Sequence, residues 1–103
     1  MDRINRLKQF LEKEPNDQFL NHALGLEFIK AGEIQNGIDR FKKILDNDPN
    51  YIPSYYHLAD ALIQLNLREE AKNTYLKGME VCKHASDMHA YNELKGAFDN
   101  LEF

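Results

Sequence analysis

Apolar residues recur along the chain at intervals of three and four positions, the spacing of residues on one face of an α-helix. Leu20, Leu24 and Phe28 follow this spacing in one segment, and Phe41 and Leu45 follow it in the next. No segment sustains the alternation of apolar and polar residues that is typical of a half-buried strand. The pattern therefore predicts an all-α fold.

Residues that favour helix ends divide the chain into six predicted helices. Pro15 interrupts the pattern after an acidic helix end, and Asp17 is suited to cap the next helix. Gly32 and Asn66 favour the left-handed conformation that ends a helix, while Pro53 suits a first helical turn because its missing N–H costs nothing there. The predicted helices span residues 2–14, 17–31, 34–47, 53–65, 68–83 and 87–102.

A repeat of 34 residues underlies this helical pattern. Pro15, preceded by an acidic residue and followed by asparagine, recurs in the same setting as Pro49, and 49 − 15 = 34. The same shift pairs further residues of similar chemistry: Leu24 with Leu58, Gly25 with Ala59, Phe28 with Leu62 and Phe41 with Tyr75. So many matches at one offset indicate that the chain is built from repeated pairs of antiparallel helices.

This repeat resembles the tetratricopeptide repeat, a helix-turn-helix unit with the pattern W-x2-L-G-x2-Y, then A-x3-F, then P. Residues 18–51 read Asn21-x2-Leu24-Gly25-x2-Phe28, Gly37-x3-Phe41 and Pro49, and residues 52–85 read Tyr55-x2-Leu58-Ala59-x2-Leu62, Ala71-x3-Tyr75 and, at the place of the proline, Lys83. The resemblance implies one domain over residues 1–103, a right-handed α-α superhelix with two full repeats at 18–51 and 52–85. Residues 1–17 would form an N-terminal half-repeat and residues 86–103 a C-terminal capping helix.

Three positions depart from the family pattern. Asn21 replaces the usual aromatic residue, and Gly37 and Gly78 stand where alanine is typical. A glycine inside a helix costs roughly 0.5–1 kcal/mol relative to alanine, so we expect modest stability. A small residue such as Gly25 allows the two helices of a pair to approach closely, and we expect Phe41 to fill the space beside it.

The first helix of each interior repeat carries a second stripe of residues. Because a helix turns about 100° per residue, Leu20 and Leu24 lie on one side while His22 and Leu26 lie nearly opposite. The resemblance implies that this second stripe lines a concave groove that holds a peptide of another protein. The alternative is that neighbouring helices cover the stripe as part of the core. The predicted groove residues are Phe19, His22, Leu26, Ile29, Tyr56, His57, Asp60 and Ile63.

One class of ligand within the family is disfavoured by the sequence. Family members that bind chaperone tails hold a C-terminal carboxylate with lysine, asparagine and arginine side chains. The matching positions here carry His22, Leu26, His57, His89 and Glu93. Without that cationic clamp, tails of Hsp70 or Hsp90 are not expected ligands. The expected partner is a protein or peptide that the pattern does not name.

Composition narrows the class of partner and the compartment. The sequence has 13 Lys and Arg against 17 Asp and Glu, a net charge of −4, which is the wrong sign for binding nucleic acid through its phosphates. At 43% hydrophobic residues the chain is too apolar to be disordered. No signal peptide or run of about 18 apolar residues is present, so no membrane association is predicted. The single cysteine, Cys82, cannot form an internal disulfide, and we expect a cytoplasmic protein.

The sequence also disfavours metal binding and catalysis. Cys82, His84 and His89 are zinc ligands by type, but their spacing matches no standard zinc module and they straddle a predicted helix end. The histidines at 22, 57 and 89 accompany no recognisable nucleophile arrangement, and no glycine-rich phosphate loop is present. The chain is therefore predicted to be no enzyme and to need no metal or cofactor.

Self-assembly is the alternative function. The chain begins with a second helix and ends with a first helix, and both carry apolar residues: Ile4, Leu7, Phe10 and Leu11 at the start, and Met88, Tyr91, Leu94, Phe98, Leu101 and Phe103 at the end. A terminal helix of a repeat array normally shows a polar outer face. The C-terminal set is harder to bury within one chain than the N-terminal set. Homodimerisation through the C-terminal end is therefore the alternative to peptide binding.

Overall fold

The computed structural model describes residues 2–102, and over that range it contains six helices and no strand. The helices are α1 Arg3–Lys13, α2 Gln18–Lys30, α3 Ile34–Asn47, α4 Pro53–Gln64, α5 Arg68–His84 and α6 Met88–Glu102. Every observed end lies within one residue of the predicted one, so the all-α prediction is confirmed. Among the described residues, none of these helices is both long and apolar enough to span a bilayer.

Side-chain and backbone caps at the helix ends follow the local sequence. The carboxylate of Asp17 accepts a hydrogen bond from the backbone N–H of Leu20 at 2.8 Å, which caps α2 as predicted. Gly32 and Asn66 adopt the left-handed conformation with φ of 83° and 62°, and Ser86 adopts it with φ of 57°. After each of the three, the next backbone N–H donates to the carbonyl five residues earlier at 2.9 Å. This Schellman geometry turns the chain at equivalent places within the pairs α2–α3 and α4–α5, and again between α5 and α6.

Consecutive helices pack side by side into an elongated body of 41 × 29 × 19 Å, and α2 also contacts α4. A small apolar cluster joins α1 to α2 through Leu7, Leu11, Leu24 and Phe28. The larger core lies among α3, α4, α5 and α6 and is centred on fully buried residues such as Phe41. Helices of separate pairs are therefore held together by one continuous core in the second half of the chain.

Glycine at three helical positions is required by close packing. A Cβ built on Gly25 would lie 2.7 Å from the ring of Phe41, so the predicted close approach is confirmed. A Cβ on Gly37 would lie 2.5 Å from Ile29, and one on Gly78 would lie 2.7 Å from Tyr55. The expectation that alanine would stabilise these helices is thus incomplete, because an alanine methyl has no room unless its neighbours move.

Asn21, which departs from the family pattern, is 2% exposed and fully hydrogen-bonded. Its side-chain amide donates to the carbonyl oxygen of Pro15 at 3.1 Å and to that of Asp17 at 2.9 Å, and its own oxygen accepts from Arg40 at 2.8 Å. The residue 34 positions later, Tyr55, donates its hydroxyl to the carbonyl of Pro49 at 2.6 Å. Two different side chains therefore tie the start of a helix to the equivalent proline.

Most apolar residues of the terminal helices are buried within the chain. Leu7 and Leu11 of α1 are each 7% exposed, as is Leu101 of α6, and Leu94 is 2% exposed. Tyr91 and Phe98 pack partly buried against the larger core. Phe10 and Met88 remain exposed, while Phe103 lies outside the described residues.

Candidate functional site

A cavity of about 460 Å³ opens between α4 and α6. One wall is formed by α4 and the residue before it, and the other by the start of α6 and the residue that caps it. Its lining residues are Ile52, Pro53, Tyr56 and His57 on the first wall, and Asp87, Ala90, Glu93 and Leu94 on the second. The volume lies within the range of about 300–1,000 Å³ that is typical of ligand pockets.

The wall formed by α6 is acidic. The carboxylate of Asp87 accepts a hydrogen bond from the backbone N–H of Ala90 at 3.1 Å and so caps the helix. One helical turn farther on, a Glu93 carboxylate oxygen lies 3.3 Å from Nε2 of His89, and both side chains are largely exposed. None of the described lining residues is lysine or arginine. The cavity therefore presents two carboxylates with no fixed cation among its lining residues.

The wall formed by α4 presents an exposed aromatic ring that neighbouring rings hold in place. Tyr56 is 41% exposed. Its ring meets the rings of His57 and Tyr75 edge-on, with centroids 5.7 and 6.4 Å apart. Such edge-to-face pairs are favourable arrangements of aromatic side chains. An apolar contact surface is thus fixed at the cavity before any ligand arrives.

Behind this wall, a histidine pair joins α2 to α4. Nδ1 of His22 lies 2.9 Å from Oγ of Ser54, which is fully buried, and the His22 and His57 rings lie 5.2 Å apart. The His22 ring also contacts the rings of Phe41 and Tyr51. Burial, together with the neighbouring His57, lowers the pKa of His22 to about 4. Burial also lowers the pKa of His57, although the charge of Asp60 opposes that shift.

Asp60 adds a third carboxylate on the face of α4 that carries Tyr56 and His57, since it lies one turn farther along the helix. Its side chain is exposed, and its charge reaches the neighbouring rings. Burial, with contributions from Asp60 and Tyr56, raises the pKa of Tyr75 to about 12. His22 and His57 are therefore neutral near pH 7, and no lysine or arginine lines the cavity beside its carboxylates.

The structure distributes the eight predicted groove residues over three settings. Tyr56 and His57 line the cavity, and His22 lies directly behind them. Three others are partly buried and pack against the larger core: Leu26, Ile29 and Ile63. Phe19 is 71% exposed at the start of α2, and Asp60 is exposed on α4. The alternative interpretation, in which the stripe is partly covered, thus describes the second group.

The α6 wall is the part that the sequence did not assign to the groove. Glu93 was named only as a position that lacks the clamp residue of chaperone-binding members. Asp87, Ala90 and Leu94 were not predicted to line the groove. A signal existed, because Tyr91, Leu94 and Phe98 repeat the spacing of the earlier helices. The spacing falls in phase with the repeat only if the loop before α6 carries two extra residues.

The residues considered as zinc ligands do not converge. Cys82 is fully buried, and burial together with the charge of Asp87 raises the pKa of its thiol. His84 is exposed at the last turn of α5, and His89 is exposed beside Glu93. Within residues 2–102, no three His, Cys, Asp or Glu side chains come together as a metal site would require.

Comparison with solved structures identifies the fold. A tetratricopeptide repeat domain protein from Salinibacter ruber is 30% identical, with a TM-score of 0.82 over 85% of this chain and 89% of that chain. The TPR2B domain of yeast Sti1, solved in a complex with pHsp70, is 15% identical, with a TM-score of 0.88 over 96% of this chain and 79% of that chain. At that identity the second likeness shows the fold alone.

Sequence comparison agrees with the structural one. An uncharacterised protein from Methanocaldococcus jannaschii is 30% identical over 60 residues, which cover 58% of this chain and 70% of that protein. The family model described as tetratricopeptide repeat matches residues 28–81, which is 54 of 103 positions and more than half of the chain. The family match runs from the last residues of α2 to near the end of α5. The chain therefore belongs to the tetratricopeptide repeat family.

Proposed function

We propose that this protein is a non-catalytic interaction module that holds a peptide or protein segment in the groove between α4 and α6. The family is generally a non-catalytic interaction fold. The observation that carries the proposal is the 460 Å³ cavity with the half-exposed ring of Tyr56 on its wall. Aromatic side chains in such settings are the residues that most often dominate binding energy at interfaces.

The groove needs little reorganisation to bind. Tyr56 packs against Tyr75 and His57, and His57 in turn stacks on the buried ring of Phe41 at 6.2 Å between centroids. Side chains held in this way lose little conformational entropy when a ligand arrives, and that entropy is otherwise a main cost of association. Two or three anchored apolar contacts then suffice for micromolar affinity, which corresponds to roughly −8 kcal/mol.

Tails of Hsp70 and Hsp90 are not part of the proposal, although structural neighbours were solved with chaperone peptides. At the positions that matter for a carboxylate clamp, the side chains of His22 and His57 have lowered pKa values and are neutral near pH 7. Leu26 is apolar and Glu93 is acidic. At these four positions a terminal carboxylate would meet no lysine or arginine and one like charge.

The proposal is tested with random peptides displayed on phage and selected on the immobilised protein. Labelled copies of the selected peptides are then titrated against wild type and two variants by fluorescence anisotropy. Tyr56→Ala removes the exposed ring in the cavity, and Leu76→Ala removes a similarly exposed apolar side chain on α5, 47% exposed, as the matched control. We expect Tyr56→Ala to weaken binding by about 2 kcal/mol, close to thirtyfold, and Leu76→Ala to leave it unchanged.

Circular dichroism keeps this test independent of folding. Both variants are expected to retain the helical spectrum and a cooperative thermal transition, because each removes an exposed side chain. Selected peptides that bind Tyr56→Ala and wild type equally would show that the groove is not the binding surface. Residues such as Leu26 are unsuited to the test, since its packing against the core would confuse lost binding with lost stability.

Self-assembly through the terminal helices is the second candidate. The apolar residues that motivate it are largely used within the chain, with Leu94 and Leu101 of α6 buried and Met88 exposed. A stable interface buries about 800 Å² on each partner, far more than the exposed side chains of Phe10 and Met88 provide. Light scattering that returns the mass of one chain up to high micromolar concentration would remove this alternative. A cytoplasmic location stays part of the proposal, because the one cysteine is buried and unpaired.

A further inference from the structure

The two charged residues that line the α4–α6 cavity are both acidic. Asp87 and Glu93 line it, and Asp60 follows Tyr56 and His57 along the same face of α4. The two histidines that face this region have lowered pKa values because they are buried, so they bring no positive charge near pH 7. The described cavity is therefore an apolar pocket with an acidic rim.

Four positive side chains of α3, α5 and α6 are engaged in contacts of their own. Lys42 pairs with Glu70 at 2.8 Å, and Lys95 pairs with Asp99 at 2.8 Å. The guanidinium of Arg68 donates to the carbonyl of Leu101 at 2.7 Å, and Lys83 lies over the ring of Tyr91. None of these contacts reaches the carboxylates of Asp60 or Asp87. An approaching cation would thus find Asp60 on α4 and Asp87 before α6 without an ion pair to any of these four side chains.

We infer that the ligand of this groove is a peptide segment in which an apolar side chain is followed closely by lysine or arginine. The inference rests on the proposed function and specifies the chemistry of its ligand. The apolar side chain enters the cavity beside Tyr56 and Leu94, and the basic one reaches the carboxylates of Asp87 and Glu93 at its mouth. This preference is opposite to that of a carboxylate clamp, which selects acidic tails.

Charge complementarity of this kind sets specificity and the rate of encounter more than total affinity. The Glu93 side chain is 60% exposed, so each ion pair at the mouth is a surface pair of modest strength. The two carboxylates at the mouth together correspond to a preference of about tenfold for a basic over an uncharged segment. Salt should reduce that preference, because the Debye length falls from about 30 Å at 0.01 M to about 8 Å at 0.15 M.

The test uses the same phage-displayed random peptides, selected on wild type and on the triple variant D60N/D87N/E93Q. The amides keep the shape of the carboxylates, and asparagine at position 87 retains the ability to cap α6. A second pair of variants controls for net charge: Glu93→Arg reverses a charge at the cavity, and Glu80→Arg makes the same change at an exposed position on α5 outside it. Labelled copies of each selected peptide are synthesised with lysine, glutamine or glutamate at the basic position.

The expected result is that wild type selects peptides with a basic residue next to an apolar one. The lysine peptide should bind wild type about tenfold more tightly than the glutamine peptide, and both D60N/D87N/E93Q and Glu93→Arg should abolish that difference. Glu80→Arg should preserve it. The difference should also shrink as salt is raised.

Three other outcomes overturn the inference in distinguishable ways. Peptides that bind all three side chains equally, yet lose affinity in Tyr56→Ala, would leave the groove in place and show that the rim charges do not select the ligand. Selection of no peptide whose binding depends on Tyr56 would overturn the proposed function and this inference together. A self-association detected by light scattering and lost in Glu93→Arg would assign the cavity to a second copy of the chain.

Discussion

Acidification is expected to destabilise this protein chiefly through the half-buried ring of His22. In the folded chain its pKa is lowered from 6.5 to about 4, first by burial and then by the nearby His57. The unfolded chain therefore binds a proton at pH values where the folded chain does not. Stability that depends on the neutral ring is fully present above pH 6.5 and is lost as the pH falls from 6.5 toward 4.

The magnitude follows from the size of the pKa shift. A pKa that is lowered from 6.5 to about 4 corresponds to about 3 kcal/mol of stability, counted between a pH at which the ring is neutral in both states and one at which it is protonated in both. The ring is only partly buried, and solvent screens its interactions, so we reduce the figure to about 1–2 kcal/mol at the lower end of that pH window. Burial lowers the pKa of His57 as well, so its contribution has the same sign. By about pH 5 we expect a loss of about 1 kcal/mol relative to neutral pH.

The assay is urea unfolding followed by far-ultraviolet circular dichroism at a series of pH values. His22→Gln keeps a side chain able to hydrogen-bond to Ser54 but does not titrate, so its midpoint should fall less on acidification than that of wild type. His84→Gln, at an exposed position on α5, is the matched control and should behave like wild type. Equal pH dependence in His22→Gln and wild type would show that this ring is not the source of the acid sensitivity.

Three further predictions concern packing and reactivity. Gly37→Ala should destabilise the protein by about 1–3 kcal/mol because its methyl meets Ile29, whereas Gly96→Ala, with open space around it, should stabilise by about 0.5–1 kcal/mol; thermal melts compare the two. Asn21→Ala should cost about 1–3 kcal/mol in urea unfolding, because Arg40 and the Pro15 carbonyl lose their partner while the Asp17 carbonyl still accepts from the backbone N–H of residue 21; a near-neutral result would contradict the network. Cys82 should react with a thiol reagent only through unfolding; fast reaction in native buffer would contradict its burial.

The helices were predictable because their signals are local. Pro53 begins a helix, and Gly32 and Asn66 end helices, through backbone preferences that hold whatever the rest of the chain does. Ser86 takes the same left-handed conformation with no such preference. There the hydrogen bond from the Asp87 N–H to the Cys82 carbonyl closes the turn. That bond is a property of the finished helix end and could not be deduced from serine alone.

The glycine positions needed the three-dimensional structure. From propensity, Gly37 and Gly78 are weak points of their helices. In the fold each lies against a side chain from another helix, Ile29 in one case and Tyr55 in the other. Whether a helix gains or loses from an added methyl depends on that neighbour, and its distance is set only when the helices pack. Sequence predicted the close approach at Gly25 because Phe41 repeats there as part of the family pattern.

The candidate site was predictable on α4 and not on α6. Tyr56 and His57 follow from helical phase, since they lie opposite Leu58 and Leu62 on a helix whose inner face is known. Leu26 has the same phase on α2, but it packs partly buried because α2 also contacts α4. For α6, the longer loop shifts the register, so the residues that face α4 could not be assigned from an offset of 34.

The backbone of α2, α4 and α6 repeats along the array, but the side chains on the groove-facing side of these helices differ. On α2 this face is largely apolar, with His22 closed off against Ser54; on α4 it combines the ring of Tyr56 with Asp60; and on α6 it presents the carboxylate of Glu93. A ligand lying across these helices therefore meets an apolar surface first and negative charge last. The repeats are therefore equivalent in shape, but the groove has an apolar end and an acidic end. A symmetric apolar ligand would not distinguish the two ends, whereas a segment with one apolar and one basic end would bind in one direction.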